Sequence, residues 1–115
     1  MNTDPGCIFC KIAQGQIPSK LIYQDDEVIA FHDIRPAAPV HFLIVPREHI
    51  PRLQDSEASH QTLLGKMMLL APRLAAEQGV TNGFRVVVNN GEDGGQEVYH
   101  LHMHVMGGPR PWKIG

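Results

Sequence analysis

The 115-residue chain predicts an α+β fold, with five strands in one antiparallel sheet, one short helix and one long helix. Three observations lead there. Short β-branched and aromatic runs recur along the chain, and one long segment has helical periodicity. Successive runs are joined by short connections, which antiparallel pairing allows.

The elements follow in order. "CIFCKIAQGQIP" reads as the short helix, with Ile8, Phe9 and Ile12 on one side, Gly15 as its stop and Pro18 beyond. "LIYQ", "EVIAFHD" and "HFLIVP" read as strands; Asp25 and Asp26 mark a tight turn, and Pro36 and Pro39 break the chain before the third. "DSEASHQTLLGKMMLLAPRLAAEQG" is the long helix, capped by Asp55 or Ser56 and ended by Gly79. Within it Leu63, Leu64, Met67, Leu70, Leu74 and Ala75 recur at helical spacing, and Pro72 should cost a hydrogen bond and bend it. "FRVVVN" and "VYHLHMHVM" complete the sheet, joined by "NGEDGGQE".

Apolar residues make up 43% and charged residues 19%, as in a globular protein. The length suits one domain, taken as residues 1–115 with a core over 7–108 and a short tail at 109–115. A net charge of −2 gives no general attraction to nucleic-acid phosphates, so any phosphate binding must come from a local site. No apolar run approaches the ~20 residues of a membrane span. "MNTDPGCIFCK" lacks the pattern of a secretory signal. The expected location is the cytoplasm, where Cys7 and Cys10 are reduced or metal-bound.

"VYHLHMHVMGG" carries the chemistry. Strand alternation puts His100, His102 and His104 on one face and Leu101, Met103 and Val105 on the core side. A solvent-facing stripe would more ordinarily use Thr, Lys or Glu. At ~3.3 Å per residue the outer two imidazoles stand ~13 Å apart, too far to share one metal ion. At least one is therefore free for nucleophilic or proton-transfer work, and imidazole attacks phosphorus readily. The preceding "NNGEDGGQE" can supply phosphate donors: Gly91, Gly94 and Gly95 let backbone N–H groups turn toward an anion, and Asn89 adds an amide.

"HLHMHVMGG" resembles the histidine triad pattern, and "FHDIRPAAPVHFLIVPREHI" and "NNGEDGGQEVYH" resemble other signatures of its Hint-like branch, from about Ile8 to Gly108. The resemblance implies a purine nucleoside phosphoramidate hydrolase acting on adenosine 5′-phosphoramidate or AMP-lysine. His102 would be the nucleophile, forming a nucleotidyl-imidazole that water hydrolyses to AMP. His104 would contact the α-phosphate, with Asn89 and Gly95 nearby, and His41 would hydrogen-bond a triad imidazole. Asp33 would take the ribose hydroxyls, and Ile8, Phe9, Phe31, His32 and Ile34 would form the purine slot. Glu97 stands where eukaryotic members tend to carry Ser; a carboxylate there would repel a phosphate, yet could deliver a proton to the leaving amine if burial raised its pKa. Family members form homodimers, here expected through the sheet edge and long helix. Trp112 either approaches the neighbouring site or packs on its own chain.

Cys7-Ile8-Phe9-Cys10 has zinc-type spacing but supplies only two of the four ligands of a structural site. Some relatives complete such a site with two histidines, and the matching positions are His49 and His100. A packed cysteine and a redox pair remain open alternatives. Zinc, if present, would be structural, and the chemistry itself calls for no cofactor. His60, on the long helix, has no evident partner and is expected at the surface. Three rival functions stand beside this reading: a dinucleoside polyphosphate hydrolase or nucleotidyl transferase, a nucleotide-binding partner protein, and a zinc-dependent hydrolase using His100 and His102.

Overall fold

Alternation along the strands sorts the side chains onto two faces of one sheet. In the computed structural model, which describes residues 2–113, the order is α1 (Ile8–Ala13), β1 (Leu21–Gln24), β2 (Val28–His32), β3 (Val40–Pro46), α2 (Gln61–Glu77), β4 (Phe84–Val87) and β5 (Met103–Gly107). Met1, and Ile114 and Gly115 of the expected tail, lie outside the described residues. The five strands pair antiparallel in the order β1-β2-β3-β5-β4, so the α+β architecture is as expected. The last strand inserts beside β3 and leaves β4 at an edge.

One face carries Val28, Ala30, Phe42, Ile44, Met103 and Val105, buried against Leu63, Met67, Leu70 and Leu74 of α2. The other carries Ile29, Phe31, Leu43 and Val45, covered by Cys7, Phe9 and Cys10 at α1. This second face carries the histidines. His104 lies opposite Leu43 of β3 and Val87 of β4.

Three local expectations need correction. The long helix starts at Gln61, because residues 53–60 form two 3₁₀ turns. Asp55 does not cap it: its carboxylate is held by Arg52 at 2.9 and 3.0 Å. Ser56 does not cap it either, since its buried Oγ has no partner among the described residues. Pro72 lies inside α2, which runs through it; the exposed Met68, four residues earlier, is where the missing donor falls. His60 is partnered: its Nδ1 accepts from Glu57 N–H at 3.0 Å, and its Nε2 meets Glu48 Oε2 at 3.1 Å.

The final strand begins at Met103, so His100 and His102 precede the ladder instead of lying in it. Ile44 is the last β3 residue paired with β5, and Pro46 has no N–H with which to continue. Segment 98–102 is tied down otherwise. Leu101 N–H donates to the Ile50 carbonyl at 2.7 Å, and the His100 ring takes the Pro46 carbonyl at 2.7 Å. Leu101 still faces the α2 core, so the alternation continues beyond the ladder.

Candidate active site

Backbone partners settle which ring nitrogen carries each proton, since a carbonyl only accepts and an N–H only donates. His102 Nδ1–H donates to the His100 carbonyl at 2.8 Å, leaving Nε2 with its lone pair. The Ala37 N–H donates to His41 Nδ1 at 3.0 Å, so His41 carries its proton on Nε2. That proton points at His104 Nδ1, 2.9 Å away, with Asp33 Oδ2 at 3.4 Å as a second acceptor. His104 is left with Nε2–H as an outward donor. One imidazole thus presents a lone pair and its neighbour presents an N–H, with ring centroids 5.0 Å apart.

Burial favours the neutral rings. It pushes His104 down to about 4, with the neighbouring imidazoles adding to the effect. Burial lowers His41 as well, opposed by the Asp33 charge. His102 is lowered by burial in the same way.

His102 and His104 open onto a cavity of about 490 Å³. Ile8, Phe9, Phe31, His32, Asp33, Ile34, Asn89, Gly95 and Glu97 are among the residues that line it. Every residue expected to bind nucleotide is therefore brought to one cavity. Phe9 stands edge-on to both Phe31 and His102, at 5.6 and 5.1 Å. Asp33 Oδ1 accepts the Arg35 N–H at 2.8 Å, which holds the carboxylate at the rim. Ile12, Ile17, Pro18, Ser19, Arg35, Leu43 and Val98 also line the cavity, and, Leu43 apart, the sequence alone does not mark them as site residues. Leu43 shares the alternation of His41 and could have been found. Ile17 and Ser19 lie in irregular chain and carry no periodic signal.

The glycine loop differs from the expected nest. The N–H groups of Gly94, Gly95 and Gln96 donate to Gly91 O, Glu92 O and Gly91 O within the loop. Gly91 N–H goes to the buried Gln96 Oε1 at 2.8 Å, and Gln96 Nε2 donates to Pro51 O and Val98 O. Gly94 is required because a Cβ there would stand 2.4 Å from the Asn90 carbonyl oxygen, and Gly95 turns at φ +76°. The glycines shape the loop. Among the described residues, the N–H groups of Glu97 and Val98 and the Asn89 side chain have no acceptor or donor of the protein, so these are the groups open to a phosphate.

His100, considered both as a member of the catalytic triad and as a zinc ligand, does not line the cavity. Its Nδ1 faces Cys7 Sγ at 3.2 Å, Cys10 Sγ at 3.5 Å and His49 Nδ1 at 3.2 Å, and its Nε2 donates to Pro46 O. Cys10 Sγ also lies 3.5 Å from His49 Nδ1. A tetrahedron with Zn–N of ~2.0–2.1 Å and Zn–S of ~2.3 Å has edges of ~3.3 Å between nitrogens and ~3.6 Å between nitrogen and sulfur. Four of the six separations lie at 3.2–3.5 Å and all four donors within 4.8 Å of one another, so Cys7, Cys10, His49 and His100 fit a structural zinc ion. Asp4 supports the set, with its carboxylate 3.8 Å from His49 Nε2 and its N–H 3.5 Å from Cys10 Sγ. Both cysteines are free thiols. Trp112 packs on its own chain, between the Arg85 and Arg110 guanidinium groups at 5.2 and 4.9 Å.

Comparison with known proteins points to one family. The HIT domain family model matches residues 14–110. Protein HitA of Neisseria gonorrhoeae is 52% identical over 103 residues, covering 90% of this chain and 96% of the relative. The purine nucleoside phosphoramidase of Escherichia coli K12 is 48% identical over 102 residues, covering 88% and 86%. The crystal structure of a HIT family hydrolase from Legionella pneumophila superposes with a TM-score of 0.88 at 44% identity, covering 91% of this chain and 95% of that one. The chain belongs to the HIT domain family.

Proposed function

We propose that the chain is a purine nucleoside phosphoramidate hydrolase working through a nucleotidyl intermediate on His102. The observation that carries the reading is the His102 ring, held by its Nδ1–H on the His100 carbonyl so that a bare Nε2 enters a nucleotide-sized cavity. The names of the Escherichia coli and Legionella relatives support the same class of reaction.

The purine enters between Phe9, Phe31 and Ile34, and Asp33 accepts the ribose hydroxyls. The phosphoryl oxygens meet the N–H groups of Glu97 and Val98, the Asn89 amide and His104 Nε2–H. His102 Nε2 attacks phosphorus; the P–N bond to the amine breaks, and its electron pair leaves on the nitrogen with a proton taken from solvent. The positive charge on the modified ring is spread over Nδ1–H, which the His100 carbonyl stabilises. Water then attacks phosphorus and loses its proton to solvent. The P–Nε2 pair returns to His102, giving AMP. Because Ala37 N–H and His41 fix His104 as the Nε2–H tautomer, His104 acts as a hydrogen-bond donor to the phosphoryl group.

Cys7, Cys10, His49 and His100 would hold zinc, whose contribution there is structural: it ties α1, and with it Phe9, to the chain entering His102. A second copy would pair along the β4 edge and the exposed Met68 and Leu69 of α2, which light scattering of the purified chain tests. The functional reading itself is tested by AMP release from adenosine 5′-phosphoramidate. Steady release with EDTA present is expected. Tight AMP binding with no release would refute it.

A further inference from the structure

Glu97 is one of two carboxylates in the described lining of the cavity, beside Val98 and two residues from Gly95. The other charged residues of the lining are Asp33, whose Oδ2 lies 3.4 Å from His41 Nε2, and Arg35, whose backbone N–H donates to Asp33 Oδ1. Among the described residues neither Lys nor another Arg lines the cavity. The phosphate must therefore be held by neutral donors, among them His104, which burial keeps uncharged. Glu97 itself is exposed, and among the described residues no hydrogen bond or ion pair takes its carboxylate. Its charge acts at the His102 ring together with the larger effect of Asp33, and unlike Asp33 it has no partner in the protein. An unpaired, solvated carboxylate beside the nucleophile acts on whatever else hangs from phosphorus.

We propose that Glu97 selects the leaving group by charge, favouring an amine that carries a further cation and opposing anionic leaving groups such as a nucleoside polyphosphate. The inference rests on the hydrolase reading above and gives it a substrate class. Two charges ~7 Å apart at an effective dielectric of ~40 alter a rate roughly sevenfold. Exchanging a cationic for an anionic leaving group counts that interaction twice, so the full span is about 50-fold at low salt and shrinks with ionic strength. The polyphosphate-cleaving alternative, which needs cations where three or more phosphates lie, meets a carboxylate here instead.

The test uses three adenosine 5′-phosphoramidates with the same alkylamine P–N linkage: 2-aminoethylamine (ammonium tail), propylamine (neutral tail) and β-alanine (carboxylate tail). The quantity read is kcat/KM for the ammonium substrate divided by that for the carboxylate substrate, whatever the absolute rates. The ratio is expected to fall at least fivefold in Glu97→Gln, to invert in Glu97→Lys, and to fall in the wild type as salt rises. A smaller fall in Glu97→Gln overturns the inference, and so does a wild-type ratio indifferent to salt, which needs no variant to fold. Hydrolysis of all three with an unchanged ratio defeats only the role of Glu97. Hydrolysis of none by the wild type defeats the phosphoramidase reading beneath it.

Discussion

Removing metal from the cluster of Cys7, Cys10, His49 and His100 should lower the melting temperature by a calculable amount. The four donors already lie within 4.8 Å of one another, so zinc binding would cost little rearrangement and would favour the folded chain alone. At a free zinc concentration 100 times Kd the gain is ~2.7 kcal/mol, and at 1,000 times Kd ~4.1 kcal/mol. An unfolding entropy of ~2.1 cal/mol/K per residue amounts to ~0.24 kcal/mol per kelvin for a chain of 115 residues. The corresponding rises in Tm are ~11 and ~17 °C. Chelated protein would be melted with and without added zinc by calorimetry, and zinc per chain measured on the untreated protein. Cys10→Ser should abolish most of the shift, since it removes one ligand of four. Identical Tm values with and without zinc, together with no metal in the purified chain, would refute the geometric argument.

Other outcomes follow from single features of the site. In Gly94→Ala the new methyl meets the Asn90 carbonyl at 2.4 Å, so the loop must move and displace the Glu97 and Val98 N–H groups; kcat/KM should drop roughly 10²-fold, and unchanged turnover would show that the loop does not place the phosphate. Burial holds His104 near 4 and His41 below its ordinary value, so both stay neutral as pH falls through ~6.5; the acid limb of kcat/KM should lie below that value, and a limb at or above it would contradict the assignment. Asp33→Asn should cut the preference for ribose over 2′,3′-dideoxyribose phosphoramidates by about tenfold, because hydrogen bonds to a charged group are the stronger ones; an unaltered preference would place the ribose elsewhere.

The strand alternation that made His100, His102 and His104 visible also gave the sheet, the two faces and the α2 core, because a half-buried strand writes its environment into every second residue. Side chains reaching across the fold were not legible in this way. Arg52 takes Asp55 away from the helix start, and nothing local in "RLQD" distinguishes that from a cap. Gln96 takes the Gly91 N–H and the loop's own carbonyls take those of Gly94 and Gly95, so a loop that looked like an anion nest has its glycine N–H groups already used. The Pro46 carbonyl takes the His100 ring through a tertiary contact that no local pattern announces. The cavity lining was readable where residues sat on helix or strand. It was unreadable at Ile17 and Ser19, which arrive from irregular chain.

The most direct measurement is intact-protein mass spectrometry after mixing the chain with adenosine 5′-phosphoramidate and quenching in alkali within the first turnovers. The account predicts a transient adduct of one adenylyl group on the wild type, mapped to His102, absent in His102→Ala, whose AMP release falls by about 10³-fold or more. AMP release by His102→Ala at a rate close to wild type, with no adduct on either protein, would contradict the assignment of His102 as the nucleophile.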